Sequence, residues 1–178
     1  MIQFKPFVGK NISDNMTPNL NAFFKKSGIG MGKKGDKNSA HFKALQATAI
    51  SFLGFCNNGS SNESTVPPIR EGILRGSGSA FVEGVLVGDT KSNYPDGKPN
   101  KEFDTKENEA VIGYNTEYAA RMHETSWIPG GATPSKQVAR NSGLTADVGN
   151  KWIEKHIKAD GNALLGIYAD IYKKEMGL

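Results

Sequence analysis

The chain has 178 residues, a net charge of +4 from 22 Lys+Arg against 18 Asp+Glu, 37% hydrophobic residues, 21 glycines and one cysteine. That length suits one domain with a closed core, the low apolar share and many glycines point to loops or arms that order against neighbours, and the mild charge lacks the dense basic stripe of a dedicated nucleic-acid binder. A lone Cys56 excludes an internal disulfide and a cysteine-rich zinc site and fits a reducing cytoplasm, no run reaches the roughly 18 apolar residues of a membrane span, and the first ten residues do not read as a signal peptide.

Residues 1–13 interleave Ile2, Phe4, Phe7, Val8 and Ile12 with polar residues without a clear period and suggest an arm or short strand. Asp14, or Thr17-Pro18, suits the start of a short helix through Phe24. Four glycines and four charges in residues 28–37 mark a flexible loop. Residues 1–38 are therefore read as an arm and loop, and residues 39–178 as a single domain. Ser39 can cap a helix over 40–55, because Phe42, Leu45, Ala49, Phe52 and Leu53 share one face. The Gly/Ser/Asn-rich stretch 56–64 reads as a surface loop. Residues 77–87 alternate well enough for one long strand with a bulge near Gly84.

Residues 89–108 form the most polar segment, with Pro-Asp-Gly turn chemistry at 95–97, and suggest a mobile hairpin excursion. Residues 109–114 return as a strand, and a helix follows Asn115 as far as Glu124. A further helix carries Trp152, Ile153, His156 and Ile157, with Asp160-Gly161 expected to break it. Asn162 then caps a last helix striped by Leu164, Leu165, Tyr168, Ile171 and Tyr172. The sum is an α+β fold: an antiparallel sheet with helices packed on one face, a flexible N-terminal arm and a long hairpin excursion.

Nothing in this pattern spells catalysis. His123-Glu124 lacks the second histidine, four residues on, that a zinc-protease helix needs, since position 127 is Trp. Gly76-Ser77-Gly78-Ser79 lacks the lysine and following helix of a phosphate loop, and Ser77 and Ser79 lack a nucleophile elbow. Lys33, Lys34 and Lys37 sit among glycines without interleaved aromatics, the pattern of a solvated loop; if the protein lines a channel that DNA traverses, they would contact its phosphates without sequence preference.

Three stretches in order are informative together. Pro68, Gly72, Leu74, Arg75 and Ser77 lead into a strand; Ile112, Gly113, Tyr114, Asn115, Tyr118, Ala119 and Glu124 end one and open a helix; Gly130-Gly131 precede Lys151-Trp152-Ile153-Glu154. This succession resembles the tail-completion and minor-capsid-like neck proteins of tailed bacteriophages, over roughly residues 40–160. The resemblance implies a structural virion protein rather than an enzyme, with no cofactor or metal. It implies a homomeric ring at the head–tail junction, with six-fold symmetry favoured and twelve-fold the alternative. Its partners would be the head connector on the portal side and the tail tube or tail terminator, with DNA backbone in the lumen, and no membrane. The ring would form in the host cytoplasm and end in the virion. Arg75, Tyr114, Asn115, Tyr118 and Glu124 are the expected subunit-interface residues, Arg75 through a bidentate contact to a carboxylate and the tyrosines through rigid area with a polar tip. A minor capsid or head-closure protein is the nearest alternative, and a small non-specific DNA-binding protein is the alternative of another class.

Overall fold

The computed structural model describes residues 34–68, 72–125, 136–138 and 145–178. The arm, the expected helix near 14–24, Lys33 and Gly130-Gly131 lie outside the described residues. The elements are α1 (Ala40–Asn58), α2 (Ile73–Gly76), β1 (Gly78–Val82), β2 (Val85–Asp89), β3 (Ala110–Tyr114), α3 (Ala119–Glu124), β4 (Lys136–Val138), β5 (Thr145–Asp147) and α4 (Trp152–Met176). The fold is α+β. A three-stranded antiparallel sheet in the order β2-β1-β3 carries the helices, and β4 and β5 form a separate two-stranded ribbon.

Helix α1 starts where its cap predicts: the Ser39 hydroxyl accepts from the Phe42 amide at 3.1 Å. It lies antiparallel to α4. His41 Nδ1 is 2.7 Å from the Tyr168 hydroxyl, Lys43 donates to Glu175 at 2.5 Å, and Ser60, just past α1, reaches Asp160. Phe42, Leu45, Ala49, Phe52 and Cys56 from α1 and Trp152, Ile153, Leu164, Tyr168 and Tyr172 from α4 close one core with Ala80, Val82, Ala110, Ile112 and Tyr114 of the sheet. The Cys56 thiol is fully enclosed there, and burial pushes its pKa well above the usual range.

Helix α4 runs unbroken through Asp160-Gly161, where the sequence predicts two helices. A mid-helix glycine costs about 1 kcal/mol relative to alanine. The buried stripe from Trp152 to Tyr172 outweighs that, and the Asp160 carboxylate is held by Ser60, Asn62 and His156 instead of capping a new helix.

The expected single strand over 77–87 is instead a hairpin. Glu83 and Gly84 both take positive φ, at 50° and 85°, the pattern of a two-residue type I′ turn. A bulge is present, but in β2 rather than at Gly84: Ala80 pairs with Gly88 and Phe81 with Leu86, so Val87 is the extra residue. The excursion after β2 runs from one edge of the sheet to the other, because β3 pairs with β1 and not β2. It is anchored rather than free. Tyr94 is buried, and Gly97 packs so close to Gly76 that a Cβ on Gly97 would meet the Gly76 carbonyl carbon at 2.0 Å. Phe103 covers Phe81, with ring centroids 6.0 Å apart, on the sheet face opposite the helices.

Candidate functional site

The segments singled out from the sequence converge where β3, α3 and the start of α4 meet. Strand β1 pairs with β3 so that Gly78 faces Tyr114. Beyond β3, the Asn115 amide donates to the Ser77 carbonyl at 3.2 Å, and the chain turns into α3. Lys151, in the left-handed region at φ 55°, opens α4 and donates its amide to the His123 carbonyl at 2.9 Å. Trp152 is thereby clamped. The Tyr114 ring meets it edge-on at 5.8 Å and the His123 ring edge-on at 4.6 Å.

Around this clamp lies an ionic cluster. His123, fully buried, places Nδ1 3.0 Å from Glu124 Oε1 and Nε2 2.7 Å from Glu154 Oε2. Each ring nitrogen thus lies close to a carboxylate, and the contact of Nδ1 with Glu124 has hydrogen-bond geometry. Lys151 Nζ bridges the same two carboxylates, contacting Glu124 directly and Glu154 at 3.2 Å. Burial works to raise the Glu154 pKa, but the hydrogen bond and charge of His123, with help from Lys151, hold it at about 2. The hydrogen bond from Lys151 lowers Glu124, and the same contact raises Lys151. His123, Glu124 and Glu154 could in principle ligate a cation, since their donor atoms lie within 4.8 Å of one another. A cation there would have to displace Lys151 from both carboxylates.

A second buried cluster has the residue types of a hydrolytic triad in the wrong order. Asp160 sits between Ser60, at 2.7 Å and 2.9 Å, and His156, at 2.6 Å. The far nitrogen of His156 is 2.9 Å from the Thr65 carbonyl oxygen. A base must face its nucleophile, whereas this histidine faces main chain. The network pins residues 60–65 onto α4. Of the two serines weighed as nucleophiles from the sequence, both are buried: Ser77 donates to the Leu74 carbonyl at 2.7 Å and Ser79 to the Asn100 carbonyl at 3.4 Å.

No family model matches the chain, and neither a curated protein nor a solved structure does.

The five expected interface residues do not form one surface. Arg75 and Tyr114 are core groups, and their burial removes them from direct contact with a neighbour. Arg75 Nε donates to the Pro67 carbonyl at 2.7 Å, and Tyr94 lies beside the guanidinium, whose pKa burial lowers. The Tyr114 hydroxyl donates to Asn57 Oδ1 at 2.7 Å, and Asn57 Nδ2 donates to the Arg75 carbonyl at 3.1 Å. Asn57 therefore joins the first two motifs. The sequence places it in loop composition, whereas it lies in the last turn of α1.

Glu124 pairs with Lys151 and His123 rather than with Arg75. Asn115 is exposed and donates from Nδ2 to the Lys98 carbonyl at 3.0 Å. Tyr118, 44% exposed, and Glu124 remain at the surface. Lys34 and Lys37 are exposed too, with Asp104 4.0 Å from Lys34.

Proposed function

We propose that this chain is a structural virion protein of a tailed bacteriophage, forming a closed homomeric ring at the head–tail junction that joins the head connector to the tail. The observation that supports this reading is the convergence of the three motif segments. Tyr114 of the second stacks edge-on against Trp152 of the third. Glu124 of the second pairs with Lys151 of the third. Asn57 links Tyr114 to the main chain of Arg75 in the first. Residue types spread over eighty positions thus build one rigid corner, and rigid corners suit a subunit that must repeat around a ring.

In this reading Arg75, Tyr114 and Trp152 brace the corner from inside, while Asn115, Tyr118 and Glu124 present it to a neighbour. An exposed tyrosine beside an ion pair gives the mix of rigid apolar area and polar rim found at subunit contacts. A heterologous contact whose rotation closes makes a ring of fixed order, here six, with twelve the alternative. Any DNA in the lumen would meet Lys34 and Lys37 as phosphate contacts only. Among the described residues no helix is long and apolar enough to cross a membrane.

Light scattering on the purified protein, alone and mixed with the connector complex of its virion, tests the proposal. A discrete species of six or twelve subunits in either sample is expected. A monomer that ignores connectors and tails would sink the reading.

A further inference from the structure

Two buried histidines of α3 and α4 differ in how their rings are satisfied. His156 has an aligned partner at each nitrogen, the Asp160 carboxylate at 2.6 Å and the Thr65 carbonyl at 2.9 Å. His123 is aligned at one nitrogen only. Its Nδ1 meets Glu124 Oε1 at 3.0 Å with hydrogen-bond geometry. Its Nε2 lies 2.7 Å from Glu154 Oε2, but off the line that a hydrogen bond needs, and neither of these two buried atoms has another hydrogen-bond partner. A ring nitrogen and a carboxylate oxygen this close, both enclosed, call for a shared cation: a misaligned proton or a metal ion.

The surroundings suit a metal ion. Glu124 holds the Nδ1 side of the ring, which leaves the Nε2 lone pair as the donor. Metal-bound histidines keep their second nitrogen on a carboxylate in the same way. His123 is fully enclosed and fixed edge-on against Trp152, whereas Glu154 stands in the first turn of α4, partly exposed and able to adjust. Two ligands about 2.1 Å from a tetrahedral ion stand about 3.4 Å apart, so this pair has to part by about 0.7 Å to admit one. Lys151 is the resident cation, with Nζ against both carboxylates. Its side chain is partly exposed and long enough to swing into solvent.

We propose that His123 Nε2 and Glu154 bind one divalent transition-metal ion of the Zn²⁺ class, with Glu124 orienting the ring and Lys151 competing with the ion for the same negative charge. An imidazole donor favours Zn²⁺ over Mg²⁺ or Ca²⁺, which take oxygen ligands. Water fills the remaining positions, since the Glu154 side of the pair opens to solvent. The ion ties the end of α3 to the start of α4, the same junction that Lys151 holds through the His123 carbonyl. This inference does not depend on the ring reading.

Calorimetric titration of the full-length protein with Zn²⁺ near neutral pH tests it. One ion per chain is expected. Lys151→Met removes the competitor and should bind at least roughly tenfold tighter than the wild type. Glu154→Gln should bind at least roughly tenfold more weakly, and so should Glu124→Gln, which frees the ring. All three variants replace partly exposed side chains and leave Trp152 packed. Imidazole nitrogen NMR identifies the histidine: Zn²⁺ should move the Nε2 signal of His123. Absence of binding in both the wild type and Lys151→Met would overturn the proposal. So would binding indifferent to Lys151→Met and Glu154→Gln, or nitrogen shifts at His41 or His156 instead; the contact between Nε2 and Glu154 would then hold a proton alone.

Discussion

The two edges of the sheet share a central strand and differ in how they are held. On the β3 side, side chains from four segments interlock: Tyr114 and His123 clamp Trp152, Asn57 ties Tyr114 to Arg75, and Glu154 and Lys151 close the outside. On the β2 side the strand is half exposed, and the turn that opens it is held at Glu83, which accepts from the Asn108 amide at 2.8 Å and interacts electrostatically with His41. The difference teaches that one small sheet can carry a rigid end and a yielding end. Rigidity follows the number of interlocked groups, because each open main-chain edge and each exposed side chain lowers the free energy of local opening.

The comparison breaks most plainly if its strongest member is dispensable. Trp152→Ala should destabilise the protein by about 3–5 kcal/mol, the usual range for emptying a large aromatic site, measured by urea unfolding. A loss under about 1 kcal/mol would mean that the β3 corner is not the anchor. Next in size, Gly97→Ala should cost about 1–3 kcal/mol by overpacking, since its Cβ would collide with Gly76 main chain. Little or no loss of urea stability would show that the strap between the edges can shift.

Acid should separate the two sides. Burial lowers the His41 pKa below its ordinary value, so below about pH 6.5 the unfolded chain binds this proton first. Stability on the β2 side therefore falls as pH drops from about 6.5 towards the folded pKa. Glu154 behaves in the other window. Its folded pKa of about 2 lies below the ordinary value of 4.5, so its contribution is complete above pH 4.5 and is lost as pH falls through about 2. Exchange measured between pH 7 and pH 2 should show amides near Glu83 opening first and those near His123 last; the reverse order would invert the comparison. The smallest effect is expected at Leu86→Thr, at most about 1 kcal/mol for a partly exposed position, read from the same urea curves.

Much of this frame is legible in the sequence. The α1 face and its Ser39 cap follow from spacing alone, because a helix cap is a local interaction. The misreadings are equally instructive. Glycine marks both bulges and turns, and at Gly84 only the pairing partner decides between them. Asp160-Gly161 looks like a break until Ser60 and Asn62, a hundred residues away, take the carboxylate. Arg75 looks like an exposed charge because arginine is seldom buried; its burial depends on the Pro67 carbonyl and on Tyr94, which no window around residue 75 contains. The convergence on Trp152 was visible only as an order of motifs, since contact between distant segments is a property of the fold.

Cys56 gives this molecule a built-in reporter. The only thiol of the chain is enclosed between α1 and the rest of the core and is pushed towards its unreactive protonated form. A thiol reagent can therefore modify the native protein only when that core opens. The labelling rate becomes a clock for separation of the two long helices, and a cysteine introduced at position 118 would carry a dye without competition.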